Sequence, residues 1–227
     1  MTAVIWLIFP NRLIKCIFEA GFGDAIISAS SDLDEYLIES LKAQGAKINS
    51  WGVGTNLITC NDNPAFGGVY KLAAIKNKED ADFVPKIKLS ENVEKVTNPG
   101  NKTIMRIYDK TTGKIRADLI CLEDEIFNPD EDMILFDPMA TWKKTKLTGG
   151  SYILRELLVP VFKKGECVYT SPSVMEIKDI CQKELNTLWD ETRRFTNPQE
   201  VFVDLSDKLY KIKSELLEEM GQASIES

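Results

Sequence analysis

The pattern of apolar and polar residues in the first part of the chain predicts one βαβ unit. Residues 25–30 are small, apolar and β-branched, which is typical of a buried parallel strand. Residues 46–51 form a second strand-like run. Between the runs, Gly45 is a natural helix stop after an apolar stripe with helical spacing. The stripe consists of Leu37, Ile38 and Leu41.

The start of this helix carries a dense group of polar residues. Ser31 and Asp32 follow the first strand and are good N-cap residues, and Asp34 and Glu35 stand three residues further on. This spacing predicts a capping box. For Asp34 and Glu35, helix capping is as good an explanation of the residue's role as ligand binding. For Asp32, helix capping is the weaker explanation.

The β-rich runs that begin at residue 68 predict antiparallel strands, and the helical pattern gives way to short strands near residues 98–116. The predicted strands are two hairpins (68–75 with 84–89, and 161–162 with 166–169), a pair at 103–108 and 114–122, and a short strand at 133–136. The acidic stretch 123–132 between the later strands predicts a solvated loop.

Two helices are predicted at the end of the chain. Ser173 and Glu176 form a capping box for the first, which is expected to end at Asn197-Pro198. The residues 222–227 are expected to form a frayed tail. Each helix has an apolar stripe that we expect to be buried. The stripes are Val174, Ile177, Cys181, Leu185 and Leu188 in the first helix, and Leu205, Leu209, Ile212 and Leu216 in the second.

The turn Gly52-Val53-Gly54-Thr55 follows the second predicted strand and is the candidate site with the clearest chemistry. Two glycines let the backbone approach a ligand, so that free amides and the Thr55 hydroxyl can point at a phosphate. An ordinary tight turn would look the same, and the full dinucleotide fingerprint is missing. However, the turn and the polar group after residue 30 both follow neighbouring parallel strands, and ligands bind at that edge in α/β folds.

Composition narrows the class of protein. The net charge of −7 disfavours nonspecific binding to nucleic acid or to an anionic membrane. No segment after residue 17 has the length and apolarity of a membrane helix. The five cysteines are widely spaced and odd in number, which indicates reduced thiols in a cytoplasmic protein. Cys60, close to the glycine turn, is expected to be a small core residue.

Several motifs in this order resemble those of nicotinate phosphoribosyltransferases, over about residues 18–215. The motifs are Ser30-Ser31-Asp32-Leu33-Asp34-Glu35, Leu41-Lys42-Ala43-Gln44-Gly45-Ala46, Trp51-Gly52-Val53-Gly54-Thr55, Pro64-Ala65-Phe66-Gly67-Gly68-Val69-Tyr70-Lys71-Leu72, Lys88-Leu89-Ser90, Glu94-Lys95-Val96-Thr97-Asn98-Pro99-Gly100 and Arg106. The family usually has Asn where Ser31 stands, which would alter the hydrogen bonds to a ribose or phosphate.

The resemblance implies an enzyme of NAD biosynthesis that joins nicotinate to phosphoribosyl pyrophosphate, giving nicotinate mononucleotide and pyrophosphate. It implies that Gly52, Gly54 and Thr55 hold the 5-phosphate, with Ser30 also in the phosphoribosyl site and Asp32 near the ribose or the Mg²⁺-pyrophosphate. Lys71 is either near the ligand or a strand lysine that faces solvent. ATP and Mg²⁺ are expected for the full-length enzyme, which is expected to be a homodimer.

The implied fold class is α/β. Residues 18–102 would be the last βα units of a type II phosphoribosyltransferase α/β barrel, and residues 103–227 a small α+β carboxy-terminal domain. A complete barrel needs eight strands and about 250 residues, so most of it has no counterpart here. The family's Asp-Ser-Gly-Asp-Leu motif and the Arg before it are also missing.

The family couples transfer to ATP hydrolysis through a phosphorylated histidine, and this chain contains no histidine. The chain is therefore expected to be a carboxy-terminal part that is inactive alone. The alternatives are a non-catalytic phosphate-binding remnant and one half of a split enzyme.

Residues 1–17 do not fit the resemblance. They form an apolar run broken by Pro10, Arg12 and Lys15, without the charged start or cleavage site of a signal peptide. With suitable codons for residues 5–11, reading one base earlier gives Asp-Leu-Ala-Tyr-Leu-Ser-Lys, which continues the family's missing motif. We therefore interpret residues 1–17 as an aberrant, frameshifted segment.

Overall fold

The computed structural model describes residues 15–65, 67–92 and 95–226, and side chains as far as residue 222. The chain divides into two compact units, one ending at Val69 and one running from Tyr70 to Ser227. This division precedes the domain boundary expected after residue 102, which stays a prediction. The segment 1–17, predicted to be frameshifted, falls almost wholly on residues 1–14, outside the described part of the chain.

The first unit contains the predicted βαβ arrangement. After a helical turn at residues 15–19, its elements are β1 (Ser28–Ser30), α1 (Glu35–Ala43), β2 (Ser50–Gly52) and α2 (Thr55–Thr59). The strands β1 and β2 pair in parallel, which confirms the predicted topology. Both strands are only three residues long, so the prediction of a buried strand over residues 25–30 was too long. Ile26 lies outside β1 and is 76% exposed.

The start of α1 corrects the predicted cap. The Asp34 carboxylate, not Ser31 or Asp32, caps the helix by accepting a hydrogen bond from the Leu37 amide at 2.6 Å. Ser31 and Asp32 have φ values of 101° and 44°, so they form the turn between β1 and the helix. The predicted helix stop is confirmed, because Gly45 has a φ of +77° and its amide bonds the Lys42 carbonyl at 3.0 Å.

The second unit is organised by a four-stranded sheet that consists of β5 (Lys102–Asp109), β6 (Ile115–Leu122), β9 (Tyr152–Glu156) and β12 (Val203–Leu205). The order of the strands across the sheet is β12-β6-β5-β9. The predicted pair is confirmed as β5 and β6, which run antiparallel with Ile104 opposite Ile120. β9 is antiparallel to β5, whereas β12 is parallel to β6.

Three hairpins complete the strands of this unit. They are β3 (Ala74–Ile75) with β4 (Val84–Pro85), β7 (Met133–Asp137) with β8 (Ala140–Leu147), and β10 (Phe162–Lys163) with β11 (Glu166–Cys167). The first and last confirm the predicted hairpins in shortened form. The sequence pattern missed β8 because its six central residues are all exposed, so no apolar alternation marks it. Lys146 in β8 pairs with Asp132 at 2.6 Å.

The apolar core of the second unit consists of two clusters. The larger one joins the sheet to the β7–β8 hairpin, and the smaller one joins the sheet to the last helix. The larger cluster is Ile107, Ala117, Leu119, Leu135, Leu147 and Tyr152; the smaller is Leu122, Leu205 and Leu209. The larger cluster takes Ala117 and Leu119 from one face of β6, and the smaller cluster takes Leu122 from the other face. Because both faces are covered there, the second half of β6 is continuously apolar.

The helices of the second unit are α3 (Val174–Thr187), α4 (Asp190–Arg193) and α5 (Asp207–Glu226). The capping box of Ser173 and Glu176 is confirmed. In contrast, α3 ends at Thr187, ten residues before Asn197-Pro198, and α5 continues to Glu226, where a frayed tail was expected. Leu209 is fully buried, as predicted for the second stripe. None of the described helices has the length and apolarity to cross a membrane.

The stripe of α3 is exposed, which contradicts the prediction that it is buried. Val174 is 80% exposed, and Ile177, Cys181 and Leu185 are exposed too. The helix is instead held by polar contacts at its carboxyl end. Glu184 forms a bidentate ion pair with Arg155 on β9, at 2.7 and 2.9 Å.

Two further contacts fix the end of α3. The Lys114 ammonium group donates to the carbonyls of Asn186 and Leu188 at 3.0 and 2.7 Å, which satisfies acceptors left free at the helix end. The Trp189 indole N–H donates to the Ile115 carbonyl at 2.7 Å. Polar contacts therefore hold α3 against the sheet, and its apolar side chains remain exposed.

Arg106 lies directly opposite Arg155 across the β5–β9 pair. Two like charges at such positions repel each other, but each is compensated. Arg106 forms a bidentate pair with Asp118 at 2.7 and 2.8 Å, and its guanidinium also lies 3.7 Å from Glu184. Hydrogen bonding to Arg155 lowers the pKa of Glu184.

Two carboxyl groups of the second unit have pKa values shifted in opposite directions. Burial, reinforced by the nearby charge of Asp137, raises the pKa of Asp204 to about 6. Asp109 accepts hydrogen bonds from the Thr112 amide and the Arg116 guanidinium, which lower its pKa to about 2. The first charge is unfavourable in the folded state and the second is favourable.

We predict that Asp204→Asn stabilises the protein at pH 7. Since the folded-state pKa of Asp204 is raised, the folded protein loses stability through this group as pH rises from about 4 through 6. Removing the charge should raise the free energy of unfolding by roughly 1 kcal/mol at pH 7 and by less at pH 5. Denaturant titrations at both pH values measure this. Asp109→Asn is the matched control and should destabilise at pH 7; equal effects of Asp204→Asn at both pH values would contradict the prediction.

We also predict that Glu184→Ala loosens α3. The substitution leaves Arg106 and Arg155 facing each other without the bridging carboxylate, and it should cost about 1–2 kcal/mol. Amide hydrogen exchange should become faster at the carboxyl end of α3. Lys183→Ala, at the neighbouring exposed position, is the control and should leave exchange unchanged. Unchanged exchange in Glu184→Ala would show that the ion pair does not hold the helix.

Candidate functional site

The carboxyl ends of β1 and β2 lie side by side in the first unit. The parallel register places Ser28 opposite Ser50, Ala29 opposite Trp51 and Ser30 opposite Gly52. A Cβ atom added at Gly52 would lie 3.3 Å from both Cβ and Oγ of Ser30. The predicted site residues Ser30 and Gly52 are therefore neighbours, and the glycine permits this close approach.

The glycine turn leads directly into a short helix. Gly54 is the N-cap residue of α2, and Thr55 is the first residue of the helix. The Gly54 carbonyl accepts hydrogen bonds from the amides of Leu57 and Ile58, both at 3.1 Å. Gly52, Gly54 and Thr55 are all exposed.

A side chain that the sequence analysis did not single out joins the two loops. The Asn56 side-chain amide donates to the Leu33 carbonyl at 3.0 Å, across 23 residues of sequence. Leu33 itself is buried, with 1% of its surface exposed. This bond links the loop after β1 to the first turn of α2. Its only sequence signal is a polar residue directly after the glycine turn.

Asp32 lies two residues beyond β1, at the same edge of the strand pair as the glycine turn, and it is exposed. Its φ of 44° lies in the left-handed region, which Asp tolerates better than most residues. Asp34 caps α1, as the capping alternative predicted for that residue. The structure thus gathers all five predicted site residues at one edge and brings Ser30 and Gly52 into contact.

A cleft of about 410 Å³ lies between α1 and α2. Ile38, Val53 and Leu57 contribute apolar surface, whereas Asp34, Glu35 and Asp62 are acidic. The acidic side chains disfavour a free phosphate inside this cleft. Backbone amides of the glycine turn are thus better suited to hold a phosphate than the cleft.

Two predictions about single residues are corrected. Cys60 was expected in the core, but it is exposed, with a φ of 49° at the end of α2. Among the cysteines, Cys121 is buried, and burial raises the pKa of its thiol to about 11. Lys71 does not extend from a strand into solvent; it is half-buried and donates to the Lys95 carbonyl. Within the described ranges, no group of three or more Asp, Glu, Cys or His residues could hold a metal ion.

Comparison with solved structures supports a mixed α/β fold. The chain superposes on the crystal structure of human nicotinic acid phosphoribosyltransferase with a TM-score of 0.65 and 22% identity. The match covers 93% of this chain and 38% of the human chain. At this identity the similarity shows the fold only.

Sequence comparison then gives the family. Residues 101–213 match the model of the nicotinate phosphoribosyltransferase C-terminal domain. The chain is 42% identical to nicotinate phosphoribosyltransferase from Bacillus subtilis (strain 168), over 92% of this chain and 43% of the relative. It is 37% identical to the Caenorhabditis elegans enzyme, over 82% of this chain and 32% of the relative.

The chain thus belongs to the nicotinate phosphoribosyltransferase family and includes the match to that family's C-terminal domain. It spans less than half the length of these relatives.

We predict that Gly52→Ala disturbs the strand pair whereas Gly54→Ala does not. The new Cβ at Gly52 meets the Ser30 side chain at 3.3 Å, but nothing lies within 4 Å of a Cβ at Gly54. The first substitution should cost roughly 1 kcal/mol. Amide hydrogen exchange over residues 28–30 and 50–52 measures it. Equal exchange in both variants would show that Ser30 and Gly52 are not in close contact.

Proposed function

We propose that this chain provides the phosphoribosyl-binding edge of a nicotinate phosphoribosyltransferase, the enzyme that forms nicotinate mononucleotide from nicotinate and phosphoribosyl pyrophosphate with ATP. The observation that carries the proposal is the contact between Ser30 and Gly52 at the carboxyl ends of two parallel strands. The 42% identity to the Bacillus subtilis relative supports the assignment of the reaction.

The β1-α1-β2 unit corresponds, in this proposal, to the last βα units of the family's barrel. Parallel strands joined by a helix are the repeating element of such barrels, and their active sites lie at the carboxyl ends of the strands. The predicted ligand residues occupy that end of β1 and β2. The remaining barrel strands would come from the part of the family's sequence that this chain does not match.

Within this site, Gly52, Gly54 and Thr55 bind the 5-phosphate, while Ser30 and Asp32 contact the ribose or the pyrophosphate. Amides around the glycine turn donate to phosphate oxygens without a side chain in the way. Pyrophosphate then leaves the anomeric carbon as nicotinate attacks it. Holding both reactants in line lowers the barrier because their freedom is already lost on binding. The protein also has to stabilise the charge that develops on the ribose and on the leaving group.

The residues of this chain fit Mg²⁺ but do not fit coupling to ATP. Mg²⁺ is commonly held by one or two carboxylates together with substrate phosphates, and the exposed carboxylate of Asp32 is a suitable donor for Mg²⁺-pyrophosphate. ATP coupling through a phosphorylated histidine does not fit, because the chain contains no histidine. We derive no ATP-dependent step for these residues.

The missing histidine also makes a non-catalytic phosphate-binding remnant the second candidate. In either case the isolated chain lacks the machinery for synthesis. For the complete enzyme we infer a homodimer in the cytoplasm, on the basis of the family resemblance and the reduced cysteines.

We predict that the purified chain, given nicotinate, phosphoribosyl pyrophosphate, ATP and Mg²⁺, forms no nicotinate mononucleotide. Chromatographic detection of the product tests this, and clear turnover would overturn it.

Calorimetric titration with nicotinate mononucleotide should detect weak binding. Ser30→Ala should weaken that binding about fivefold, since one hydrogen bond is lost. Ser28→Ala, two residues earlier on the same strand, is the matched control. Equal loss in both variants would remove Ser30 from the site.

A further inference from the structure

Two half-buried lysines of the second unit lie on the side of the sheet that α5 covers. Lys102 is the first residue of β5 and lies opposite Leu122, so the two side chains share a face of the sheet. Leu122 packs in one cluster with Leu209 of α5. Lys213 is in α5, one turn beyond Leu209, and it is half-buried like Lys102.

The charges of both lysines lack a counter-ion in the described part of the chain. Among the described residues, neither ammonium group forms an ion pair with a carboxylate. Burial lowers the pKa of Lys102 and that of Lys213. A cation that leaves water without a counter-ion is destabilised, so an anion that reaches these groups is attracted strongly.

Both ammonium groups are bonded to one turn. Lys213 donates to the side-chain oxygen of Asn98 at 2.8 Å, and Lys102 donates to the Gly100 carbonyl at 2.6 Å. The two acceptors belong to residues two positions apart, whose Cα atoms lie within about 7 Å of each other. Both acceptors are neutral, and each ammonium group has three N–H donors, so donors remain for a further acceptor.

The turn itself is fixed by its packing. Pro99 is fully buried, and the Gly100 amide donates to the Ala73 carbonyl at 2.7 Å. Gly100 has a φ of +89°, and a Cβ atom added there would lie 2.7 Å from the Leu122 side chain. The acceptors that orient the two lysines are therefore in place before any ligand binds, which reduces the entropy lost on binding.

The carboxylates of the neighbouring cleft have other partners. This cleft of about 450 Å³ adjoins the turn and contains acidic side chains. Asp124 pairs with Lys208 at 2.7 Å, and the charge of Asp82 also acts on Lys208. Glu123 accepts a hydrogen bond from the side chain of Asn101. These carboxylates thus do not compensate the two half-buried lysines.

We propose that Lys102 and Lys213 form a binding site for a small phosphate-type oxyanion at the turn of residues 98–100. Lysine binds phosphate as a point charge, and two ammonium groups match the charge of a dianion. Partial withdrawal from water strengthens this attraction. The bound anion would link α5 to the start of β5 and stabilise the second unit. The site uses none of the residues proposed for the 5-phosphate, so it is independent of the proposed function.

The test is NMR of the full chain with ¹³C-labelled lysine, titrated with inorganic phosphate. The Cε resonances of Lys102 and Lys213 should shift on titration, and the pKa of both groups should rise because the anion stabilises the charged form. Lys213→Met should weaken phosphate binding about fivefold or more, whereas Lys213→Arg should keep most of it. Lys211→Met is the matched control, since Lys211 lies in the same helix with an exposed side chain; it should bind like the unmodified chain.

Chloride at equal ionic strength controls for screening. Equal shifts in chloride and phosphate would overturn the proposal, as would phosphate that moves only the resonances of residues 52–55. Equal affinity of Lys213→Met and the unmodified chain would do the same. Circular dichroism checks the fold of each variant, and Lys102→Met replaces Lys213→Met if the latter does not fold. Competition by ATP at both lysines would show that the site also takes the phosphate group of a nucleotide; phosphate binding without competition would assign it to the free ion.

Discussion

The parallel pairing of β1 with β2 is the constraint on which the candidate site depends. It sets Ser30 opposite Gly52, so both following loops begin at one edge. Gly52 allows the approach because a larger side chain there would press on Ser30. The hydrogen bond from Asn56 to the Leu33 carbonyl then links the loops beyond the strands. A shift of the register by one residue would separate these groups.

The two units satisfy the need for burial in different ways. The second unit has a packed core around Ile107 and Leu119, and its sheet is covered by a hairpin and by α5. The first unit buries little and leaves Ile58 and Leu57 on the surface. This contrast explains why the second unit contains the regular strands, while β1 and β2 are short.

Polar contacts also fix the position of α3, which burial of apolar side chains would normally fix. The helix α3 is attached to the sheet through Glu184 and Arg155, and Lys114 binds its last carbonyls. Its apolar stripe, including Val174 and Ile177, therefore faces away from the core. Helical spacing of apolar residues shows that a helix has an apolar face, but it does not show whether that face is covered within the same chain.

The sequence by itself determined the βαβ order, the β5–β6 pair and the capping box of α3, because these depend on local spacing and turn chemistry. Tertiary structure decided that Asp34 rather than Ser31 caps α1, that Asn56 joins the loops, and that Cys60 is exposed. The Asn56 bond joins residues 23 positions apart, and the exposure of Cys60 depends on the surface left uncovered. The cap is local, but it depends on the turn at Ser31 and Asp32, whose positive φ values keep them out of the helix. Whether a side chain is buried depends on every element that packs against it, so the periodicity of the sequence alone could not predict burial.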